Sequence, residues 1–404
     1  MATAFESDIR QSLSAVQAAV SAAVESLPEY PRRAPELARQ LGLERNIAWK
    51  LFRLINERDV FAAARFVPGP ASIAAFVTAA AGAGVPHGVL DKVTEAAGSY
   101  SKVVQVHAGD RVSADIMLGG KAGEAGELAL RRSAFRSMSF LAGAQAEAHV
   151  KTFLMAPAGD GSENLDGASL TGFVDLRRMR ADAPVVIGRP MATDDEGKVL
   201  KAANGNTIDG PLPAGECVPL LRDFCSQPLP RFRLVQGEWG FVETELVEGP
   251  VGKTGAITFF TCDLVRGLAS RFRSERNMNM DLVARLRTPS AVLILDVFAH
   301  AAIFGDTLPR VAVYSDLFGD ALRRGPGRER YRLSSVHKVE LLGRGPGPAQ
   351  TPEIPRYTRL LQYVMDRLSW DSSQFNAYRV RIEFPFTPTS AVVSFDLPAR
   401  PTGS

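Results

Sequence analysis

Five side chains that can bind a polyanion follow one another within nine residues of this 404-residue chain: Arg45, Asn46, Trp49, Lys50 and Arg53. Steps of one and three residues place all five on one side of a helix. Arginine and asparagine form two-point hydrogen bonds with guanine and adenine, while lysine and arginine neutralise phosphates. The spacing therefore indicates a binding surface for nucleic acid, although a solvated basic helix face has the same composition.

The charge distribution singles out the same region. Residues 32–58 contain seven basic and three acidic residues, although the whole chain has a net charge of only +3. A second stretch, 321–359, contains nine basic and three acidic residues, and we interpret it as a solvated face. Local positive charge attracts phosphate over about 8 to 10 Å at physiological salt. Only the first stretch, 32–58, also contains a recognisable structural motif.

Motifs for phosphate or metal binding are incomplete elsewhere. Residues 249–254 (GPVGKT) end like a P-loop, but Val247 occupies the position of the first glycine and a strand is predicted to follow. The acidic segment 160–166 lacks the glycine and closing glutamate of a calcium loop. Three cysteines and five histidines form no zinc pattern. We therefore expect no metal and no cofactor.

Two further sets of charged residues have alternative interpretations. Asp296 lies within the apolar run 291–298, so its carboxylate needs a partner arginine or lines a pocket. The next residue of interest, His300, is interpreted as a satisfied core histidine. Four arginines are predicted on one helix, where they form a solvated face or meet an anionic ligand: Arg266, Arg271, Arg273 and Arg276.

Apolar periodicity predicts helices for most of the chain up to residue 115. Ile9, Leu13, Val16 and Val20 recur at helical spacing, and Pro28 ends this first helix. Further helices are predicted near 34–41, 45–58, 71–82 and 88–98, and residues 60–67 could form one strand.

The remainder, 116–404, contains runs rich in β-branched and aromatic residues after a helix predicted over 126–150. The chain is predicted to close with an amphipathic helix over 357–368 and an antiparallel pair of strands, 378–384 and 393–397. The Pro- and Gly-rich segment 343–355 is a possible internal linker. The fold class is α+β: a helical N-terminal domain (1–115), then a large mixed domain (116–404) with mainly antiparallel strands.

A helix-turn-helix pattern connects the binding residues with these elements. Leu37 and Ala38 lie in the first helix, Gly42 supplies the left-handed turn, and Leu43 and Leu51 anchor the second helix. Over about residues 34–60 the sequence resembles the winged helix-turn-helix domains of bacterial transcription regulators of the isocitrate-lyase-regulator (IclR) type. That family also has the pattern Leu-Ala, Leu-Gly-Leu and then a second helix with leucine and arginine positions.

The resemblance implies a non-enzymatic transcription regulator in which the helix from Arg45 reads the major groove of double-stranded DNA. Arg45 and Asn46 would contact bases, whereas Arg39, Lys50 and Arg53 would contact phosphates, with Trp49 on the same surface. Residues 116–404 would form a homodimer or higher homo-oligomer, or sense an unknown small molecule.

The alternative is an oligomeric assembly or scaffold protein that uses the helix-turn-helix-like domain for protein contacts. An exposed tryptophan such as Trp49 is typical of protein interfaces. For either function a cytoplasmic location is expected, since no run of 18 apolar residues is present, the N-terminus lacks signal-peptide character, and three cysteines suit a reducing compartment.

Overall fold

The computed structural model describes residues 4–119, 123–188, 191–193, 199–202, 206–236, 242–275, 277–317, 326–335 and 337–400. The chain divides into two compact units, unit 1 (Met1–Leu130) and unit 2 (Arg131–Ser404). This division lies fifteen residues beyond the expected boundary at 115/116. Unit 1 is longer than expected because Ala114 and Leu118, in an additional helix, are buried in its core.

All regular elements in the described part of unit 1 are helical. They are α1 (Ala4–Glu25), α2 (Ala34–Leu41), α3 (Arg45–Asn56), α4 (Val60–Ala63), α5 (Pro70–Gly82), α6 (His87–Ala108) and α7 (Arg111–Gly119). Helix α1 buries the predicted stripe of Ile9, Leu13, Val16 and Val20, and packs against α6. The predicted helices near 34–41, 45–58, 71–82 and 88–98 are confirmed, although α6 extends ten residues beyond the predicted end.

The turn between α2 and α3 has the geometry that the motif predicts. Gly42 has a φ of +63°, and the backbone N–H of Leu43 donates to the carbonyl oxygen of Ala38 at 3.0 Å. Only glycine adopts the left-handed conformation without a steric cost. Gly42 therefore ends α2 and reverses the chain so that α3 packs against α2. Helix α3 buries Ala48, Leu51 and Leu54.

The strand considered for residues 60–67 is wrong. These residues form α4 and a 3₁₀ turn over Ala64–Phe66. The Asp59 carboxylate accepts hydrogen bonds from the backbone N–H groups of Phe61 and Ala62, which stabilises the helix start. Three successive alanines then favour a helix over a strand. No wing hairpin is present among residues 4–119.

The helix predicted over 126–150 is also partly wrong. Helix α8 (Gly123–Ala142) crosses the boundary between the units and ends before Gly143, which has a φ of +67°. A β-strand begins at Ala144. Leu141, predicted on the apolar side of this helix, is 67% exposed. The apolar residues after Gly143 follow a strand period, which the longer helical window concealed.

The described part of unit 2 contains four sheets, and all their strand pairs except one are antiparallel, as the α+β class predicts. The eight-stranded sheet has the order β14-β15-β12-β1-β2-β10-β6-β7, and only β1 and β12 pair in parallel. Two three-stranded sheets have the orders β11-β16-β13 and β3-β9-β8, and β4 pairs with β5. The strands are β1 (Ala144–Pro157), β2 (Leu165–Arg178), β3 (Val186–Ile187), β4 (Met191–Thr193), β5 (Val199–Ala202), β6 (Asn206–Thr207), β7 (Gly210–Pro211), β8 (Phe232–Gln236), β9 (Val242–Leu246), β10 (Ile257–Val265), β11 (Asn279–Leu286), β12 (Ser290–His300), β13 (Arg310–Ser315), β14 (Glu340–Arg344), β15 (Phe375–Glu383) and β16 (Thr389–Asp396).

The centre of the eight-stranded sheet is covered on both faces. Helix α11 (Tyr357–Arg367) packs through Leu360 and Val364 against one face, on a core that includes Ile294 and Phe298 of β12. The sheet β11-β16-β13 packs on the opposite face, against alternate residues of β12 and β15. Apart from α8, the other α-helices in the described part of unit 2 are short: α9 (Ala301–Phe304) and α10 (Pro326–Glu329). Strand β12 is therefore buried on both sides, which explains its continuous apolar run.

The closing helix is confirmed, but the final antiparallel pair is wrong. Strand β15 pairs with β12 and β14, whereas β16 pairs with β11 and β13, so the two strands belong to different sheets. Alternation identified both strands, but it contains no information on which strand is the partner.

Segment 343–355 is part of the packed unit and not a linker. It contains the end of β14 and a 3₁₀ turn over Gly347–Ala349, and Ala349 is fully buried.

Within the described ranges no single helix is long and apolar enough to cross a membrane. Residues 60–66 and α5 together have sufficient length and apolar character, but they are bent by 86° relative to each other.

Candidate nucleic-acid interface

Helix α3 presents the predicted residues on its solvent side. Arg45, Asn46, Trp49 and Arg53 are exposed and Lys50 is half-buried, while the opposite side is buried in the core of unit 1. The separation follows from sequence, because Ala48, Leu51 and Leu54 recur at steps of three and the polar residues occupy the positions between them. The predicted orientation of α3 is therefore confirmed.

Three cations on this surface are not neutralised within unit 1. Arg39, exposed near the end of α2, forms no ion pair with a residue that the structure describes, and the same holds for Arg45 and Lys50 on α3. A guanidinium or ammonium group without an acidic neighbour keeps its full charge available for a phosphate.

Arg53 is partly engaged by its own unit. Its guanidinium lies 3.6 Å from the Glu57 carboxylate, one turn along α3, and 5.0 Å from the centre of the Phe66 ring. An i,i+4 ion pair on an exposed surface is weak, about 0.3 to 0.5 kcal/mol. Arg53 can therefore exchange Glu57 for a phosphate at small cost.

Trp49 packs at the edge of the same ring and stays half-exposed. Its ring centre lies 5.5 Å from that of Phe66 at an interplanar angle of 82°, and 47% of the residue is accessible. The Arg65 guanidinium covers Phe66 from 4.6 Å. Trp49, Arg53, Arg65 and Phe66 line an open hollow of about 460 Å³.

Sequence reasoning missed Arg65 and Phe66. Their contribution was concealed because residues 60–67 were expected to form a strand, whereas the 3₁₀ turn brings them beside α3. The available signal was the aspartate before a run of alanines, which is typical of a helix start. With Arg65, the surface around α3 has more positive charge than the predicted residues alone provide.

Glu44 is the acidic residue at the N-terminal end of this surface. It occupies the N-cap position of α3, is exposed, and makes no side-chain hydrogen bond to the helix start. The amide groups of that first turn attract anions. A carboxylate at this position therefore weakens the attraction of the helix start for phosphate.

In unit 2 the Asp296 carboxylate has the arginine partner that its burial requires. Arg379, on the neighbouring strand β15, donates from Nε to Oδ1 at 2.8 Å and from Nη2 to Oδ2 at 2.7 Å. The Tyr357 hydroxyl of α11 also donates to Oδ2, at 2.8 Å. Burial raises the pKa of Asp296, and these hydrogen bonds oppose the rise. The arginine interpretation is confirmed, and the group is a structural network.

The remaining candidates of unit 2 also have structural roles. His300 accepts from the backbone N–H of Ala302 through Nδ1 and contacts Gln374 through Nε2 at 2.6 Å, so it is satisfied, although it is half-buried. The strand predicted after the P-loop-like segment is confirmed as β10. The three cysteines are free, and no metal-binding group occurs among the described residues.

The helix predicted for the four arginines is wrong. The described residues between β10 and β11 form turns and loop, and Arg266 donates to the buried Asp166 carboxylate at 2.7 Å. Arg276 lies outside the described residues, as do Arg323 and Arg324 of the second basic stretch. In that stretch Arg328 pairs with the Asp281 carboxylate at 2.7 Å.

Comparison with known proteins identifies no family. No family model matches the sequence, and no curated protein matches it. A solved structure described as a "putative protease" from Parabacteroides distasonis is similar at 9% identity and a TM-score of 0.27, over 62% of this chain and 40% of that one. Similarity at that level carries no argument about fold or activity.

Proposed function

We propose that the protein is a DNA-binding transcription regulator and that α3 is its recognition helix. The observation that supports this most strongly is a set of three cations on the exposed side of a helix-turn-helix pair: Arg39, Arg45 and Lys50, none of which forms an ion pair with a described residue. An uncompensated positive surface on the exposed side of a helix favours a polyanionic partner, and a duplex places phosphates on both sides of the groove that a helix enters.

The order of residues along α3 suggests how the roles are divided. The N-terminal end of a recognition helix lies nearest the bases, so Arg45 would pair with guanine and Asn46 with adenine. Lys50 and Arg53, farther along the helix, and Arg39 at the end of α2 would contact phosphates. Trp49 would donate its indole N–H to a phosphate of the DNA backbone while its ring remains in contact with Phe66.

Unit 1 departs from a winged helix in a way that affects affinity. Residues 60–67 are helical, so a wing in the neighbouring minor groove would not contribute from this segment. Arg65 on the 3₁₀ turn would provide the nearest substitute. We therefore expect binding to depend mainly on charge and strongly on salt.

Unit 2 would form a homodimer or sense a small effector. Two copies of α3 about 34 Å apart would read half-sites separated by one helical turn, which one copy alone cannot do. We place this regulator in the cytoplasm because its target would be there and its cysteines are free.

A second candidate function is assembly with other proteins through unit 1. Four apolar residues at the end of α6 and along α7 are exposed by 44 to 71%: Val106, Val112, Ile116 and Met117. Large exposed apolar patches are typical of interaction sites, and these four side chains would contribute to such a patch. An oligomer that is insensitive to salt and has no affinity for DNA would favour this function.

The proposal is tested by fluorescence anisotropy of a labelled random duplex of about three helical turns. We expect Arg45→Ala and Lys50→Ala each to weaken binding about fivefold at moderate salt, because each removes one phosphate or base contact. Lys92→Ala and Lys102→Ala are matched controls on α6, where both lysines are exposed, and should change binding less than twofold. Equal binding by all four variants would contradict the proposal.

A further inference from the structure

Five polar residues lie together on three adjacent strands of the eight-stranded sheet. Lys151 belongs to β1, Ser169 and Thr171 to β2, and Thr261 and Asp263 to β10. We call them the Lys151 cluster. This cluster could not be predicted from the sequence, because its five residues are spread over 113 positions.

Strand register explains why they meet. Lys151 pairs with Thr171, and Thr171 pairs with Thr261 on the next strand. Ser169 pairs with Asp263, two residues along β2 and β10. Because side chains alternate between faces with a period of two, all five point to the same face. This face is opposite to α11, whose core includes Val150, Leu170 and Cys262 from the intervening positions.

The Lys151 amine is held by two hydroxyl groups. Its Nζ donates to Ser169 Oγ at 2.6 Å and to Thr171 Oγ1 at 2.7 Å. Burial lowers the pKa of Lys151 to about 8, and Asp263 opposes this shift. A larger fraction of this amine is therefore neutral near neutral pH than in an exposed lysine. His149, two residues earlier on the same face, has a pKa lowered to about 3 by burial and stays uncharged.

We propose that Ser169 and Lys151 form a nucleophile–base pair that hydrolyses carboxylic esters, with Thr171 positioning the amine. A nucleophilic hydroxyl within hydrogen-bond reach of a base, with the base oriented by a third group, is the arrangement that activates serine for acyl transfer. Lys151 and Thr171 are half-buried and Ser169 is buried, so a substrate would have to approach the serine hydroxyl past the side chains of Lys151 and Thr171.

The chemistry balances without a further reactant except water. Ser169 Oγ bonds to the ester carbonyl carbon while the neutral Lys151 amine accepts the hydroxyl proton. The bond to the alkoxy group then breaks, and the departing alcohol takes that proton from the Lys151 ammonium. Water attacks the acyl group on Ser169 with Lys151 again as base, which releases the carboxylic acid and restores the serine.

Thr171 has a second use in this arrangement. Its hydroxyl accepts from Lys151 and keeps its own proton, which it can donate to the oxygen that becomes negative during attack. The Thr261 hydroxyl donates to the Thr171 carbonyl oxygen at 3.3 Å, which helps to hold this part of β2. Thr171 is a positioning residue for Lys151 and a candidate donor to substrate.

The test is covalent labelling of the full-length protein with a fluorophosphonate, followed by peptide mass mapping, and hydrolysis of p-nitrophenyl acetate. We expect an adduct on Ser169 whose rate of formation rises with pH through about 8. Lys151→Met should reduce that rate about 100-fold or more. Thr171→Val should shift the pH profile as well as lower the rate, which a purely structural role would not do.

Ser137→Ala, at an exposed serine of α8, is the matched control and should leave the labelling of Ser169 unchanged. The unaltered protein provides the decisive result, so the test does not depend on variants that fail to fold. Absence of an adduct on Ser169 between pH 7 and 9.5 would overturn the proposal. Equal labelling of a folded Lys151→Met variant would also overturn it.

Discussion

Asp296 and Arg379 form a two-point ion pair in the centre of unit 2, with donor–acceptor distances of 2.8 and 2.7 Å across β12 and β15. Asp296 is fully buried, and the Arg379 side chain is only 10% exposed. Arg379 also donates to the carbonyl oxygen of Ala349 at 2.7 Å, which ties segment 343–355 to the sheet. One pair of charges therefore joins two strands, a loop and, through Tyr357, helix α11.

Removing one partner of this pair should destabilise unit 2 strongly. We expect Asp296→Asn or Arg379→Met to lower the free energy of unfolding by about 3 to 5 kcal/mol, because each leaves a buried group unpaired. Urea denaturation measures the change. The double variant Asp296→Leu/Arg379→Met should be more stable than either single variant, since neither charge is then left unpaired.

The control for that series is Asp396→Asn. Asp396 pairs with Arg310 at 2.7 Å, but both side chains are 65% exposed. We expect a change below about 1 kcal/mol. Equal losses in the buried and exposed pairs would contradict the structural role assigned to Asp296.

Glu353 should make stability depend on acidic pH. The Arg381 guanidinium donates to its carboxylate at 2.6 Å, and this bond, with that of Thr351, lowers the pKa of Glu353 to about 2. Because the pKa of Glu353 is lower in the folded protein than its ordinary value of 4.5, the ionised carboxylate stabilises the fold at pH values above 4.5. This contribution is lost as the pH falls toward 2.

The measurement is the difference in unfolding free energy between the unaltered protein and Glu353→Gln. We expect about 1 kcal/mol at pH 6, because solvent screens part of the pair, and less than half of that at pH 3. A difference that stays constant from pH 6 to pH 3 would show that the Glu353 carboxylate is not held by Arg381.

Replacing two glycines of unit 1 with alanine should change its stability in opposite directions. At Gly42 a side chain would meet no atom within 4 Å, so the cost of Gly42→Ala is that of the positive φ, about 1 kcal/mol. Gly98 lies inside α6, also with open space, and Gly98→Ala should stabilise the unit by about 0.5 to 1 kcal/mol. Thermal unfolding measures both; stabilisation by Gly42→Ala would exclude the left-handed turn between α2 and α3.

Glu44 should oppose binding to DNA. Glu44→Gln removes a negative charge from the N-cap position of α3, where phosphates are attracted by the helix start. We expect the affinity for duplex to rise about threefold at low salt, and the gain to shrink at high salt. Glu95→Gln on α6 is the matched control, because Glu95 is also exposed, and it should have no effect. Weaker binding by Glu44→Gln would indicate that this carboxylate accepts from a base instead.

The sequence predicts local elements better than it predicts their partners. Helical periodicity identified α1, α3 and α11, and the turn at Gly42, because these depend on neighbours within one or two turns. Strands β15 and β16 were identified by alternation, but their separate sheets depend on pairings with β12 and β11, which no local pattern contains. The helix predicted over 126–150 extends beyond the end of α8, because Gly143 adopts a positive φ that ends the helix at Ala142.

The same distinction applies to function. The outward side of α3 follows from spacing alone, and the need of Asp296 for a partner follows from burial. The approach of Lys151 to Ser169 depends on the register of β1 and β2, so it could not be predicted from their positions in the chain. Arg65 and Phe66 were missed because their contribution depends on one 3₁₀ turn beside α3.

The salt dependence of binding to a random duplex tests the DNA-binding proposal most directly. The slope of log K against log salt concentration counts the phosphates that a protein neutralises, at about −0.9 for each. If Arg39, Lys50 and Arg53 each contact one phosphate as proposed, the slope should be about −3 per copy bound. A slope near zero, or no binding at about 50 mM salt, would contradict the assignment of α3 as a recognition helix.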